Sequence, residues 1–390
     1  MINIALLGLG TVGSGVIKIL EQNQQQLKDY MNIEFNIKHI YVKNINKKRD
    51  IDISNYHLTD NMDDILNDDL DIVIEVMGGI EPTVDYIRHF LNRGIHVVTA
   101  NKDMLAAHLE ELETLATKQQ VALKYEASVA GGIPIVNAIN NGLNANAIHH
   151  FMGIFNGTSN FILSKMTHDN LSFEEALQLA TELGFAEADP TADVDGIDAQ
   201  RKVVITSYLA FNTFIHLEDC EVTGIRDVTL TDIKLAEALG YRIKLIGQAS
   251  YDGKRVQASV KPCMLSNQHQ LAHVENEYNA IYVDGDAVGD TMFYGRGAGS
   301  LATGSAVVSD VMYIISQLET KKHTLPPHFT LGESQTADRK RVVVISEQPV
   351  EGLAGPHAEY QGSHAYEVNT TDLEKLNLTH VKIYQIEGAE

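Results

Sequence analysis

The stretch Ile2-Asn3-Ile4-Ala5-Leu6-Leu7-Gly8-Leu9-Gly10-Thr11-Val12-Gly13-Ser14-Gly15 decides the fold. Ile2 to Leu7 is a short apolar run of strand character, and helical periodicity follows from Ser14 to Leu27. Between them lies Gly8-x-Gly10-x-x-Gly13, a G-x-G-x-x-G that leaves a strand and opens a helix. In that position the glycines permit a tight turn. They also let a pyrophosphate approach backbone N–H groups at a helix N-terminus. A plain tight turn uses the same glycines, so the motif takes its meaning from what surrounds it. The apolar start is not expected to be a secretory leader, since it has no basic n-region and no small-residue cleavage pattern, and glycines interrupt it.

Working outward, strands are expected at Ile37 to Val42, Asp71 to Val76, Ile95 to Thr99 and Val121 to Tyr125. Helical segments separate them. One follows Pro82 and ends near Gly94, a natural C′ glycine, and another runs from Leu105 to Gln119. Apolar strands alternating with helices make a parallel sheet covered on both faces, so the first third is an α/β dinucleotide-binding fold. From Ala127 the texture changes. A Gly-rich turn (Ser128 to Pro134) precedes a helix rich in Asn and Ala, then a strand from His149 to Phe155 that ends in Asn156-Gly157-Thr158-Ser159-Asn160. Helices are expected at Phe173 to Leu183 and Ala199 to Phe211, and strands at Leu245 to Ala249 and Val256 to Lys261, which suggests a mixed sheet in a second domain. A second Gly-rich turn, Gly295 to Gly304, leads to a buried helix from Ser305 to Leu318. Pro326-Pro327 marks a boundary, and the remainder shows one strong strand, Arg341 to Ile345.

The chain has 390 residues, too many for one compact core, and its formal net charge of −22 disfavours nucleic-acid or anionic-membrane binding. No unbroken apolar run reaches the ~18 residues of a membrane span. Only Cys220 and Cys263 are present, too few for a disulfide framework or a zinc cluster, which fits a reducing, cytoplasmic setting.

Three groups of residues carry chemistry. After the second strand come Lys43-Asn44 and then Lys47, Lys48 and Arg49, where an NAD site would place an acid for the ribose 2′-hydroxyl. A cationic cluster suits the 2′-phosphate of NADP; a solvated basic loop is the other reading. The run Glu187-Ala-Asp-Pro-Thr-Ala-Asp193-Val-Asp-Gly196-Ile-Asp198-Ala-Gln-Arg-Lys202 invites a calcium-loop reading. With Gly196 as the loop glycine, however, Lys202 falls where the bidentate Glu must stand, which excludes calcium. Asp198 and Lys202 are four apart on one helical face. They form either an ordinary ion pair worth ~0.3–0.5 kcal/mol or an amine held among carboxylates that bind a cationic, hydroxyl-bearing substrate. Lys102, in Thr99-Ala100-Asn101-Lys102, follows a strand at the carboxyl edge of the sheet, where ligands bind in open α/β folds. His149-His150 has no partner at metal-ligand spacing, and neither cysteine lies in a nucleophile-like context.

Together, Gly8 to Gly13, Thr99 to Lys102, Glu126-Ala-Ser-Val129-Ala-Gly131-Gly-Ile133-Pro134, Asn156-Gly157-Thr158 and the Glu187 to Lys202 block resemble homoserine dehydrogenase over roughly residues 1 to 325. The resemblance implies a Rossmann-type dinucleotide-binding domain, 1–130, completed by about 296–325. A mixed α/β substrate-binding and dimerisation domain, 131–295, follows, and 326–390 is a C-terminal extension. It implies a homodimer or higher homo-oligomer acting on a small-molecule substrate, with NADP or NAD as cofactor. By resemblance Thr11, Val12, Gly78, Lys102, Gly184 and Gly299 fall on cofactor-contacting positions, joined by Gly8, Gly10 and Gly13 of the glycine motif and by Lys43 of the cationic cluster. Glu187, Asp193 and Asp198 would bind substrate, Lys202 would be the catalytic proton donor and Lys102 a second essential lysine. Glu126, Val129, Gly131 and Ile133 would hold a monovalent cation, sodium in the family.

Two departures stand out. Many relatives have Arg-Asp where this chain has Lys43-Asn44. Many bacterial relatives end in an ACT regulatory domain, whereas no full βαββαβ pattern fits the tail here, leaving a degenerate ACT-like remnant or an unrelated extension. A phosphorylating semialdehyde dehydrogenase would need a nucleophilic cysteine near the cofactor motif. A non-catalytic cofactor sensor would explain the glycines but not two lysines beside an acidic wall.

Overall fold

The computed structural model describes residues 1–24, 27, 34–318, 341–353, 356–360, 362–373, 376, 378 and 381–385. Its first sheet is built from β1 (Ile2–Leu7), β2 (Phe35–Tyr41), β3 (Leu58–Thr59), β4 (Ile72–Glu75), β5 (His96–Thr99) and β6 (Leu123–Lys124). The order is β3-β2-β1-β4-β5-β6, and every neighbouring pair is parallel. That is the doubly wound order expected of a dinucleotide-binding fold. The sense of winding reverses between β1 and β4, and ligands bind in the crevice outside that point.

Alternate side chains divide this sheet's burial between two faces. Ile4, Leu6, Ile72, Ile74 and Val98 pack with Val16, Ile17 and Leu20 of α1 (Thr11–Gln22). Ala5, Leu7, Val73 and Val97 pack with Ile87 and Leu91 of α2 (Thr83–Asn92) and with Leu105, Leu109 and Leu112 of α3 (Lys102–Gln119). Helix α2 ends as expected: Arg93 is its cap and Gly94 follows with φ +77°. Helix α3 begins earlier than expected, at Lys102, because the Asn101 carboxamide oxygen accepts from Met104 N–H and caps it.

The second sheet contains β7 (Ile148–Ile154), β8 (Glu221–Val222), β9 (Tyr241–Tyr251), β10 (Val256–Ser266), β11 (Tyr278–Gly285) and β12 (Gly289–Arg296). Its order is β12-β11-β7-β9-β10-β8, antiparallel except for the β10–β8 pair, so the expected mixed sheet is present. The β11–β12 hairpin was not anticipated. Strand β12 alternates half-buried and exposed residues around polar and glycine positions, which weakens its apolar signal. Four helices accompany this sheet: α4 (Gly157–His168), α5 (Phe173–Glu182), α6 (Ile197–Phe211) and α7 (Leu230–Ala238). Helix α4 begins where the sequence shows only the end of a strand: Asn156 is an N-cap whose side chain accepts from Ser159 N–H at 2.8 Å.

After β12 the chain returns to the first sheet as α8 (Ser300–Leu318), where Val307, Val311 and Ile314 join the core beside α1. By length and composition α8 is apolar enough to cross a bilayer, but half of that window is buried in this fold. Helices α1 and α8 touch at glycines. A Cβ on Gly15 would lie 1.9 Å from the Ser300 carbonyl oxygen, a backbone atom that cannot swing aside. Gly15→Ala should therefore cost roughly 1–3 kcal/mol, seen as a lower Tm by calorimetry. Gly10→Ala, which meets nothing within 4 Å, should leave Tm unchanged and weaken coenzyme binding instead.

By contacts the chain divides into Met1–Thr324 and Leu325–Glu390. The boundary expected at Pro326-Pro327 lies outside the described residues. The second unit holds β13 (Arg341–Ser346), β14 (Ala358–Tyr360), β15 (Ser363–Asn369) and β16 (Val381–Gln385), where the sequence suggests a single strand. They form an antiparallel sheet in the order β14-β15-β13-β16, packed around Val344, Val350 and Tyr366. This is a split β-α-β strand order, yet among the described residues its connections hold only one helical turn, Thr370–Leu373.

Candidate active site

The carboxyl edge of the first sheet is shaped by glycines. Gly8 sits at φ +105°, and a Cβ there would lie 2.8 Å from the Val76 carbonyl oxygen. A Cβ on Gly13 would lie 2.2 Å from the Gly8 carbonyl oxygen. Gly10 is the cap residue of α1, and no side chain caps that helix. The first-turn N–H groups at Thr11, Val12 and Gly13 thus face an open cradle suited to a phosphate. Gly78 (φ +74°) and Gly299 (φ +117°) turn the chain after β4 and before α8, with open space beyond each. Gly184 (φ +79°) is the residue after the cap of α5, which by itself explains a glycine. Lys43, Lys47 and Lys48 are exposed beyond β2. Arg49 folds back, donating to the Lys47 and Asn44 carbonyls at 2.8 and 2.9 Å, and so clamps the loop.

An acid absent from the expected site organises this edge. Glu75 ends β4 and is fully buried. Its carboxylate accepts from the N–H groups of Met77 and Gly78 at 2.7 and 3.2 Å and from the Thr99 hydroxyl at 2.5 Å. The Thr99 oxygen accepts from Asn101 N–H, and the Asn101 side chain donates to the Gly79 carbonyl at 2.6 Å. Glu75 thereby joins the Gly78 turn to the start of α3. Burial raises its carboxyl above the ordinary range against these hydrogen bonds. The signal in sequence was a lone acid inside the apolar strand Ile72-Val73-Ile74-Glu75-Val76.

Lys102 is the first residue of α3, where the positive end of the helix dipole disfavours a cation. Asp198 of α6 offsets this: one of its oxygens lies 3.2 Å from Lys102 Nζ and the other 2.8 Å from Lys202 Nζ. Beside this contact Arg201 pairs with Asp103 at 3.1 Å, a second bridge between α3 and α6. Asn156 donates to Asp198 at 2.9 Å and to Asp193 at 2.7 Å. Burial alone would raise Asp198, but Lys202 and Lys102 outweigh it and hold the carboxyl far below its usual range. Asp198 in turn raises Lys102 against burial. Asp193 is raised, mainly by burial, with the charge of Asp198 adding to it. Asp198 and Lys202 are 6% and 9% exposed, so their pairing is far from the screened surface pair the spacing alone allowed.

Lys202 Nζ also donates to the Phe155 carbonyl at 2.7 Å. An ammonium has three N–H groups, so two are spoken for and the third is left for a ligand oxygen. The structure thus brings Lys102, Lys202, Asp198 and Asp193 together. Glu187 is exposed, and no side chain among the described residues pairs with it. The Asn156 and Phe155 contributions escape sequence inspection because they reach Asp198 and Lys202 across 42 and 47 positions.

Glu126 is 1% exposed, and its two oxygens accept from Val136 and Asn137 N–H at 2.8 and 2.7 Å. Its own N–H donates to buried Asp310, whose carboxyl burial pushes up to about 7. The Ile133 carbonyl is taken by Ile135 N–H, whereas no donor among the described residues reaches the buried carbonyls of Val129 and Gly131.

A dinucleotide cradle facing two lysines on one carboxylate defines a nicotinamide-dependent oxidoreductase acting on a CH–OH group. The family model for homoserine dehydrogenase matches residues 134–312, and that for its NAD-binding domain matches 8–126. A homoserine dehydrogenase of Bacillus subtilis is 47% identical over 318 residues, 81% of this chain and 73% of that one. The crystal structure of Staphylococcus aureus homoserine dehydrogenase at pH 7.5 shares 52% identity with a TM-score of 0.73, covering 100% of this chain and 99% of that one. A hyperthermophilic archaeal homoserine dehydrogenase mutant in complex with NADPH shares 26% identity at a TM-score of 0.68, covering 82% and 99%. The chain belongs to the homoserine dehydrogenase family and interconverts L-homoserine and L-aspartate 4-semialdehyde with NAD(P).

Proposed function

We propose that Lys202 moves the substrate hydroxyl proton in this reaction, with Asp198 between Lys202 and Lys102 as the carrying observation. When bound, the nicotinamide coenzyme supplies or accepts the hydride. In the reductive direction the free N–H of Lys202 meets the aldehyde oxygen, stabilises charge developing there and gives up a proton. The Lys202 ammonium, held by Asp198 and the Phe155 carbonyl, presents a fixed positive charge to that oxygen, the preorganised electrostatics such a step needs. Lys102 holds the other oxygen of Asp198 from the start of α3. Glu187, exposed and with no partner side chain among the described residues, binds the substrate ammonium, and Asp193 completes the acidic wall.

The proton balance tests the reaction, and Lys202→Ala tests the residue that moves the proton. Oxidation of homoserine releases one proton, so at a fixed coenzyme ratio the aldehyde-to-homoserine ratio should rise about tenfold per pH unit. Reduced-nicotinamide absorbance at equilibrium over a pH series reads this directly. An equilibrium indifferent to pH would exclude the reaction.

NADP is the preferred coenzyme in this reading, with NAD accepted. Gly8, Gly10, Thr11, Val12, Gly13, Gly78, Gly184 and Gly299 surround it, and Lys43, exposed after β2, meets the 2′-phosphate. Lys43→Ala should raise the KM for NADPH more than that for NADH. Equal effects would place the phosphate elsewhere. Sodium suits the hard oxygen set of Glu126 and the Val129 and Gly131 carbonyls, which no donor among the described residues reaches; the Ile133 carbonyl, already accepting from Ile135 N–H, would offer its second lone pair. A homodimer is supported by the outer face of the second sheet, where Met292 and Tyr294 are 39% and 53% exposed. In this reading the chain is divided into 1–130 with 296–325, 131–295 and 326–390, and the strand order of the last unit favours a degenerate ACT-like remnant. The chain acts in the cytoplasm, on the route to threonine, methionine and isoleucine.

A further inference from the structure

Asn279 lies on β11, outside every motif discussed above, and is 1% exposed. Its Nδ2 donates at 3.0 Å to the Phe155 carbonyl, the same oxygen that receives Lys202 Nζ at 2.7 Å. A carbonyl oxygen has two lone pairs, and this one spends both on the lysine and the carboxamide. The other end of the side chain, Oδ1, is buried without a hydrogen-bond partner among the described residues. Turning the amide over would set Oδ1 against the Phe155 oxygen, acceptor against acceptor, so the chemistry fixes the observed orientation. An orphaned buried acceptor is costly, and such groups persist where a site demands them.

The surrounding backbone is cleared for this side chain. A Cβ on Gly297 would lie 2.0 Å from Asn279 Nδ2, and one on Gly157 would lie 3.5 Å from Oδ1. Phe155 itself sits at the bend between β7 and α4, where no sheet pairing holds its carbonyl in place. The direction of that carbonyl matters, because it and Asp198 are the two anchors that leave one Lys202 N–H for the substrate.

We propose that Asn279 is a positioning residue for the reaction, fixing the Phe155 carbonyl so that the remaining N–H of Lys202 is aimed at the substrate oxygen. This rests on the reading of Lys202 as the proton donor, and the two are separable by experiment. The full-length enzyme and its Asn279→Ala, Gly297→Ala and Lys202→Ala variants are compared for kcat, homoserine KM, NADPH Kd, solvent deuterium isotope effect and Tm. Asn279→Ala should lower kcat about 10- to 100-fold, since a small misplacement of a reacting group has that effect. Homoserine KM and NADPH Kd should stay within about twofold, as expected for a loss confined to the transition state. The solvent isotope effect on kcat should rise as proton transfer becomes limiting. Gly297→Ala, whose Cβ would overlap the Asn279 carboxamide, should act in the same direction. An unchanged kcat in Asn279→Ala, or a fall shared by kcat, KM and Tm with no change in isotope effect, overturns the positioning role. If that happens while Lys202→Ala is crippled, only Asn279 is misassigned. If Lys202→Ala is fully active, the reading of Lys202 fails and this proposal fails with it.

Discussion

Lys202→Ala should lower kcat by at least the ~10²–10⁴-fold typical of a lost general acid–base, with NADPH binding nearly intact. The separation follows from position: Lys202 sits on α6 beside the second sheet, whereas the phosphate cradle is at the start of α1. Steady-state kinetics with a parallel binding titration reads both quantities. Lys202→Arg should not rescue the loss. A guanidinium stays protonated throughout the working range, and its planar fork cannot meet Asp198, the Phe155 carbonyl and the substrate as a tetrahedral ammonium does. Full activity in Lys202→Ala would move the proton-transfer role to Lys102, the other ammonium on Asp198.

Asp198→Asn should come close behind and should also lower stability. It leaves two ammonium groups facing one another with no carboxylate between them, in a site where Lys202 is almost fully buried. Removing one partner of a buried ion pair costs about 3–5 kcal/mol, and Lys102, being more exposed, adds less. At least ~10²-fold should be lost from kcat, because neither lysine keeps its position. The pH dependence has a definite sign. The carboxyl of Asp198 is depressed in the folded state, so its stabilisation is fully present above the ordinary aspartate value of 3.8 and is lost as pH falls through the depressed one. The Tm gap between the wild type and Asp198→Asn should hold at neutral pH and begin to close below about pH 4. A gap of constant size through acid pH would show that the ion pairs are not its source.

The first sheet was legible because its chemistry is local. Gly8 and Gly13, where a Cβ would strike backbone, stand beside runs of Val and Ile, and the parallel pairing of the strands follows from the alternation with helices. Asp198 and Lys202 of α6 were legible through their four-residue spacing and the resemblance of their block. What escaped is what the chain assembles from a distance. Asn156 reads as the end of a strand, and only the fold shows it capping α4 while bridging Asp193 to Asp198. Glu75 needs Thr99 and Asn101 from the next strand before its burial makes sense. The β11–β12 hairpin carries Asn279 on a strand whose partner is half exposed, so periodicity gave little warning of it.

The most direct measurement is the absorbance of reduced nicotinamide when the purified chain meets L-homoserine with NADP⁺, and separately with NAD⁺, at alkaline pH. Homoserine-dependent reduction of coenzyme, faster or at lower coenzyme concentration with NADP⁺, is the predicted result. Coenzyme binding without turnover of either would contradict it and leave a nicotinamide-binding protein that is not a catalyst.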